Sequence, residues 1–267
     1  MAADMMYTAL AGLNTFNTAL SVVSDNIANA NTTGWKSNTV DFGDLVGGLM
    51  ATSDGAPTAQ GVGSTVLGVT SDWTTGAEIQ TGTWSDLMIQ GSGFFEVENP
   101  TSTVDYYTRD GSFQVNAAGL LTDMKGNDVL DSSGGTITIA PGTTDLSVDQ
   151  LGNLTGIAPG TTGPATPIDT IGITTFSNPN GLIRDGNNDY TAGPDVGNIA
   201  IANPGTPATP ATTDSGGTII SGALEGSNVD LTAQMVNLID YQADYQANSK
   251  SIETGNTLLQ TVVNLIR

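Results

Sequence analysis

The chain has 267 residues and a formal net charge of −21, with 27 acidic side chains and six basic ones. This length suffices for one or two domains with a sizeable core. The absence of cysteine and histidine excludes structural disulfides, thiol nucleophiles, thiolate or imidazole metal ligands and imidazole acid–base catalysis. The basic residues are scattered, so nucleic acid and anionic membrane surfaces are both poor partners.

The first residues, MAADMMYTAL, contain neither a basic segment nor a continuous apolar one, so we expect no cleavable secretory signal. No stretch approaches the roughly 18–20 apolar residues of a membrane-spanning helix, so we expect no membrane insertion. A protein of this kind that leaves the cell requires a dedicated export route.

An apolar stripe at helical spacing predicts a long amphipathic helix over residues 4–28. Its members follow one another at intervals of three and four residues: Met6, Ala9, Leu13, Phe16, Leu20, Val23 and Ile27. The opposite face is polar but barely charged and lacks the Glu–Lys pairs that stabilise isolated helices. We therefore expect this helix to need a partner, and the turn-forming run Asn29–Gly34 to end it.

A second apolar stripe, with a seven-residue repeat, predicts a helix at the other end of the sequence. Its members are Leu231, Leu238, Tyr245, Ile252, Leu259 and Ile266. The helix is expected to open at residues 227–230 with Ser227 as its cap, and Gly255 is its weakest position. Taken alone, either stripe is equally compatible with a coiled coil and with the core of an ordinary globular protein.

The middle of the sequence predicts β-structure. Residues 35–60 pass from a short alternating segment into a linker rich in glycine, serine and threonine, and residues 61–221 contain short alternating segments separated by glycine turns. The absence of helical interludes favours an antiparallel barrel or sandwich-like domain. The low-complexity run within 203–217 is expected to form a surface loop. The predicted fold class is α+β, with an N-terminal region over residues 1–60, a β-rich region over 61–221 and a C-terminal region over 222–267.

No motif in the sequence predicts catalytic, cofactor-binding or metal-binding residues. The segment Asp185–Asp189 begins like a calcium loop, but Tyr190 and Val196 occupy the positions where glycine and a bidentate glutamate are required. The carboxylates have no spacing that singles out an acid–base pair. Arg109, one of few cations, is expected to pair with an internal carboxylate.

Three segments resemble the axial proteins of the bacterial flagellum, the rod and hook subunits. Residues 28–36, ANANTTGWK, match the family pattern A-N-x-x-T-x-G-[FYW]-K. DLMIQGSGFFEV and YTRDGSFQVNAAGLL resemble central family signatures, and the run from Gly222 to the last residue resembles the closing helix. Within this match we single out seven residues as the signature segment, of which Asn31 and Thr33 occupy variable positions of the pattern: Ala28, Asn29, Asn31, Thr33, Gly34, Trp35 and Lys36.

The resemblance implies a discontinuous inner domain of coiled-coil helices from both termini and an outer β domain. It also implies type III export without a cleaved signal, followed by helical self-assembly through the two stripes. The closing segment is most like that of hook subunits, which form a curved hollow tube that transmits torque and conducts exported proteins. The distal rod protein is the alternative because hook proteins are usually longer. A secreted β-rich adhesin is a third reading.

The implied partners are copies of the same chain, the rod, hook cap and hook–filament junction proteins, and the export apparatus. No cofactor is implied. The glycine-rich run 47–64 is a candidate for the segment that tunes hook bending. Trp35 has two readings, as a core anchor and as a contact with the next subunit. We expect the terminal helices to order fully only on assembly.

Overall fold

The computed structural model describes residues 2–51, 57–102, 104–161, 163–202 and 216–265. Ile266, most of the 203–217 run and some of the 47–64 run lie outside these ranges. The described residues form two long α-helices, a short 3-10 helix (Pro179–Gly181) and eighteen strands, which confirms the α+β class. Neither long helix, as far as it is described, is both long and apolar enough to cross a membrane.

The chain divides into two compact units. Unit 1 comprises residues 1–30, 37–72 and 229–267, and unit 2 comprises residues 31–36 and 73–228. The elements of unit 1 are α1 (Ala2–Ala28), β1 (Asn38–Ala51), β2 (Pro57–Ser71) and α2 (Leu231–Leu265).

The two helices of unit 1 pack antiparallel. Near the start of α1, Met6 faces Gly255, and near its end Asn26 donates a hydrogen bond of 3.3 Å to Gln234. Gly255 is buried and does not interrupt α2. A Cβ atom there would lie 3.0 Å from Met6 Cγ, so the residue that weakens the helix by propensity also permits close approach of α1.

The start of α2 differs from the prediction. The helix begins at Leu231, and the Asp230 carboxylate accepts hydrogen bonds from the backbone N–H groups of Thr232 (2.8 Å) and Ala233 (3.2 Å). Asp230 is therefore the N-cap, and the predicted cap Ser227 precedes the helix by several residues. Aspartate at this position also adds a favourable charge at the helix N-terminus.

Strands β1 and β2 form a long antiparallel hairpin with several register shifts. The described residues of the 47–64 run, for which composition predicts a linker, belong to these strands. The hairpin packs closely on α1: the Thr15 hydroxyl donates to the Ser64 carbonyl (3.1 Å). A Cβ atom on Gly63 would lie only 2.8 Å from the Cβ atom of Ala11.

Unit 2 consists of short strands that pair antiparallel wherever the structure describes them. Their bounds are β3 (Glu78–Gln80), β4 (Leu87–Gln90), β5 (Phe94–Glu98), β6 (Asp105–Thr108), β7 (Gln114–Val115), β8 (Leu121–Thr122), β9 (Asp128–Val129), β10 (Thr144–Val148), β11 (Asn153–Ile157), β12 (Thr166–Thr170), β13 (Ile173–Phe176), β14 (Leu182–Gly186), β15 (Asp189–Ala192), β16 (Ile199–Ala202), β17 (Thr218–Ser221) and β18 (Ala223–Glu225).

Of the predicted barrel or sandwich-like arrangement, the barrel is wrong for the residues of unit 2 that the structure describes. Nine strands form one sheet in the order β14-β15-β6-β5-β9-β8-β7, with β13 attached to β5 and β16 attached to β13. The end strands β14 and β7 do not pair with each other, and the remaining strands form three smaller sheets, β10-β11-β12, β17-β4 and β18-β3. The short spacing of the strands predicts antiparallel pairing. Whether a sheet closes into a barrel depends on whether its two edge strands pair with each other, which the spacing does not reveal.

Strand β5 separates the two apolar clusters of unit 2. Phe95 and Val97 belong to the main core, where the rings of Phe95 and Phe113 lie 5.1 Å apart. Phe94 points to the opposite face and packs edge-on against Tyr190 at 6.2 Å. The alternation along β5 therefore buries both faces of the sheet.

Glu96 is a buried carboxyl on the second face of β5. It is 7% exposed and accepts a hydrogen bond of 2.6 Å from the Thr174 hydroxyl. Burial raises the pKa of Glu96, and the nearby Asp105 carboxylate raises it further, although the Thr174 hydrogen bond opposes the shift. The ionised form is therefore unfavourable in the folded chain.

We expect Glu96→Gln to stabilise unit 2 by on the order of 1 kcal/mol at neutral pH, because it removes a poorly compensated buried charge. A carboxyl whose folded pKa is raised contributes stability below its unfolded pKa, and that stability is lost as the pH rises through the folded value. The advantage of the variant should therefore grow as the pH rises from about 4, near the ordinary pKa of glutamate, through the raised pKa of Glu96. Denaturant unfolding of the variant and the wild type across this pH range measures the difference in stability. Glu98→Gln on the same strand is the control. A stability difference between Glu96→Gln and the wild type that stays constant with pH would contradict this prediction.

Candidate assembly face and signature segment

The predicted stripe of α1 lies at the edge of its buried face. Val23 is buried, whereas Met6, Leu13, Phe16, Leu20 and Ile27 are half-buried. The fully buried positions are mostly small or polar: Ala9, Gly12, Thr15, Ala19, Val23 and Asn26. Small residues let α2 and the hairpin approach closely. Ala9 and Val23 belong to the predicted stripe, whereas a search for apolar periodicity misses Gly12, Thr15, Ala19 and Asn26.

Asn26 is the clearest example of a position that hydrophobicity does not reveal. Its side chain is fully buried, accepts a hydrogen bond from the Asn38 backbone N–H (2.9 Å) and donates to the Asn38 carbonyl (2.7 Å). These bonds hold the end of α1 against the start of β1. The sequence signal that could have identified this position is an asparagine near a predicted helix end, because one side-chain amide can bond both a backbone N–H and a backbone carbonyl.

An aromatic trio joins the three components of unit 1. The rings of Phe16 on α1, Phe42 on β1 and Tyr241 on α2 lie 6.0 to 6.1 Å from one another. The predicted member of α2, Tyr245, is 39% exposed instead. The inner face of α2 therefore departs from the strict seven-residue repeat, as expected for a straight helix with 3.6 residues per turn.

Only some of the predicted α2 stripe faces α1. Leu238 and Ile252 are half-buried, whereas Leu231 and Leu259 are exposed by 42% and 41%. Ile266 lies outside the described residues. About half of the stripe thus remains available to other surfaces.

The last turns of α2 extend beyond α1. Met6 faces Gly255 and α1 begins at Ala2, whereas α2 runs on to Leu265. We call residues 259–265 the α2 overhang. Its apolar side chains are exposed: Leu259, Val262, Val263 and Leu265. Beside it lies an apolar groove of about 480 Å³ lined by Met6, Tyr7, Leu10, Ile252 and Leu259.

The signature segment begins at the end of α1. Ala28 is the last residue of the helix, and the Asn29 amide donates to the Asp25 carbonyl (2.9 Å) and carboxylate (3.1 Å). Asn31 is exposed. These residues end the helix, as predicted.

The next residues of the segment dock on unit 2. The Thr33 hydroxyl donates to the Asp110 carboxylate at 3.0 Å, and the Asn188 amide donates to the Thr33 carbonyl. Gly34 has φ +66°, and a Cβ atom there would lie 2.6 Å from the Arg109 carbonyl carbon. Both the backbone conformation and the close approach require glycine at this position.

Trp35 is an internal anchor of unit 2. The ring is 7% exposed, and the Arg184 guanidinium lies 4.1 Å from its centroid. Such stacking is a favourable cation–π contact. Of the two readings of Trp35, the structure supports the core anchor.

Lys36 ends the segment in a buried ionic cluster. Its ammonium donates to the Glu225 carboxylate (2.6 Å) and to the Thr74 carbonyl (2.8 Å). Arg109 donates to the other oxygen of Glu225 (3.3 Å) and to the Gly91 carbonyl (2.8 Å). We call Lys36, Arg109 and Glu225 the charge clasp. The prediction that Arg109 pairs with an internal carboxylate is confirmed.

The charge clasp is almost entirely removed from water, with side-chain exposures of 0% for Lys36 and Arg109 and 1% for Glu225. Burial lowers the pKa of Arg109, and the Glu225 carboxylate counteracts that shift. The Arg109 guanidinium also lies 4.8 Å from the centroid of the Phe94 ring. Glu225 has no distinguishing sequence context, so sequence reasoning could predict that a carboxylate is required but not which one.

Backbone hydrogen bonds join the two segments that flank the clasp. The Gly34 N–H donates to the Glu225 carbonyl (2.7 Å), and the Asn228 N–H donates to the Trp35 carbonyl (3.4 Å). The Glu225 carboxylate also accepts from the Gly76 N–H at 2.8 Å. We call residues 31–36 the N-terminal connector and residues 223–228 the C-terminal connector.

Three family models match the chain in succession. Residues 6–36 match the flagella basal body rod protein model, and residues 88–156 match the D1 domain of the flagellar hook protein FlgE/F/G. Residues 220–265 match the C-terminal model of the flagellar basal body rod FlgEFG proteins.

Curated relatives match almost the whole chain. The flagellar basal-body rod protein FlgG of Bacillus subtilis is 36% identical over 98% of this chain and 98% of its own length. The chain belongs to the flagellar rod and hook family of axial proteins. The FlgG protein of Agrobacterium fabrum is 30% identical over 95% of this chain and 96% of its own length. The flagellar basal-body rod protein FlgF of Caulobacter vibrioides is 32% identical over 97% of this chain and 96% of its own length.

Membership of the axial family makes this chain a structural component of the flagellum and not an enzyme. The charge clasp has a particular place in the family pattern. Lys36, Arg109 and Glu225 each lie in a different one of the three matched segments. The clasp therefore joins all three segments of the chain that the family models recognise.

Proposed function

We propose that this protein is the distal rod subunit of the flagellar basal body, which polymerises helically into a straight, rigid and hollow tube. The observation that carries the proposal is the match of nearly the whole chain to relatives named FlgG basal-body rod proteins. The chain length, which is short for a hook protein, supports the same choice. The hook assignment that the closing segment favoured is thus the weaker of the two.

The assembly surface in this proposal belongs to unit 1. Exposed apolar side chains of the α2 overhang and the groove beside it provide area that a second copy of the chain can cover. Burial of such area drives association. We propose that the helices of neighbouring copies pack in coiled-coil fashion around the channel as an inner domain, and that unit 2 forms the outer layer.

The partners in this proposal are further copies of the chain and the neighbouring axial components, with delivery by the type III export apparatus. The hook is retained as a second candidate because residues 88–156 match a model that also describes hook proteins. In that case the tube is curved, and the partners include the cap and the hook–filament junction proteins.

Deletion of the gene in its own bacterium, followed by electron microscopy of isolated basal bodies, separates the two candidates. Loss of a distal rod subunit should leave a shortened rod and no hook, because each axial section is built on the preceding one. A wild-type copy supplied in trans should restore both. A rod of full length that lacks only the hook would contradict the distal rod assignment and support the hook.

A further inference from the structure

The charge clasp joins residues that are distant in the sequence. Lys36 and Glu225 are 189 positions apart, and Arg109 and Glu225 are 116 positions apart. The N-terminal connector directly follows α1, and the C-terminal connector leads into α2. The clasp therefore links the segment in which the chain first passes through unit 2 to the segment in which it finally leaves unit 2.

The cluster contains two cations and one carboxylate. Backbone carbonyls of Thr74 and Gly91 accept further hydrogen bonds from Lys36 and Arg109, and the Glu225 carboxylate is the counter-ion that both cations share. Burial of an ion without a counter-ion is far more costly than burial of a pair. Docking of Lys36 in its site thus depends on Glu225.

We infer that the charge clasp makes docking of the N-terminal connector conditional on docking of the C-terminal connector, so that the two connectors open and close together. The dependence is reciprocal, because a favourable coupling between two docking events acts equally in both directions. A chain whose C-terminal connector has not yet arrived keeps Lys36 in water and its N-terminal connector open.

This inference goes beyond the proposed function and holds for a rod or a hook subunit alike. It gives the signature segment a role within its own subunit. The conformational requirement for Gly34, the anchor Trp35 and the buried ammonium of Lys36 all serve one docking event.

Hydrogen–deuterium exchange on the full-length monomer tests the inference. The variants are Glu225→Gln, Lys36→Met and the double variant, with Glu78→Gln as the control. Glu78 pairs directly with Glu225 between β3 and β18 but is exposed. The reporters are peptides that cover the two connectors, and a peptide over β5 reports on the core.

Glu225→Gln should accelerate exchange about tenfold or more in the N-terminal connector, because Lys36 loses its counter-ion while the new side chain keeps the shape of the old one. Adding Lys36→Met should restore much of that protection, since one uncompensated cation is removed. Lys36→Met alone should have the smallest effect of the three because Arg109 and Glu225 remain paired. The control should exchange like the wild type.

Two results would overturn the inference. One is unchanged protection of residues 31–36 in Glu225→Gln. The other is faster exchange of residues 31–36 in the double variant than in Glu225→Gln. That result is expected if each substitution only removes packing contacts and the two losses add. If Glu225→Gln also exposes the β5 peptide, the double variant decides alone: it must recover protection of both the core and the connector, or the inference fails.

Discussion

Aspartate at both Leu259 and Val263 should abolish tube assembly. Both residues lie on the α2 overhang, where they are exposed in the single subunit. Leu259 and Val263 are 41% and 62% exposed, so covering the exposed part of each contributes about half of the 1.5–3 kcal/mol of a full burial, and their loss removes about 1.5–3 kcal/mol from every subunit contact. This corresponds to an increase of about tenfold or more in the concentration needed for assembly. Buried carboxylates would raise it further.

The matched control carries the same two charges on a neighbouring face of the same helix end, about 100° around the axis, as Gln260→Asp with Asn264→Asp. Both positions are exposed, and neither belongs to the predicted stripe. Sedimentation of polymer across a range of protein and salt concentrations measures the effect, and circular dichroism checks that the monomers are equally helical. Equal loss of assembly in both double variants would point to general repulsion and not to the apolar face.

The second large effect is expected at the charge clasp. Glu225→Ala should destabilise unit 2 by about 3–5 kcal/mol, because two cations lose their counter-ion in a site that excludes water. Glu78→Ala, at the exposed position that pairs with Glu225 on the neighbouring strand, should change stability by less than about 0.5 kcal/mol. The three tryptophans, Trp35, Trp73 and Trp84, all lie in unit 2, so denaturant unfolding followed by tryptophan fluorescence reports on this unit alone.

A triple variant separates charge from packing. Replacing all three clasp residues by apolar side chains of similar size, as Lys36→Met, Arg109→Met and Glu225→Leu, should recover most of the lost stability. A triple variant as unstable as Glu225→Ala would mean that the hydrogen bonds to Gly76, Thr74 and Gly91, and not the missing counter-ion, account for the loss.

The helices were the most predictable elements of the fold. Their stripes are long and regular, and the predicted and observed bounds of α1 differ by two residues. The buried face was less predictable because Gly12, Thr15 and Asn26 are buried through size and hydrogen bonding and not through hydrophobicity. Asp230 displaced Ser227 as the cap for a similar local reason.

The β1–β2 hairpin and the clasp were less accessible to sequence reasoning. Glycine and threonine predict a linker in the 47–64 run, but hydrogen bonding to a neighbouring strand overrides a low β propensity. The partner of Lys36 lies 189 positions away, and no local pattern distinguishes Glu225 from the other acidic residues. The family resemblance identified the signature segment, and the structure supplies the contacts that explain its glycine, tryptophan and lysine.

Electron microscopy of the purified protein, concentrated in salt that screens its net charge of −21, tests the central claim most directly. We expect straight tubes with a central channel. Curved tubes would support polymerisation but contradict the distal rod assignment. Monomers alone, with both terminal helices fully folded, would contradict the claim that the exposed face of unit 1 is an assembly surface.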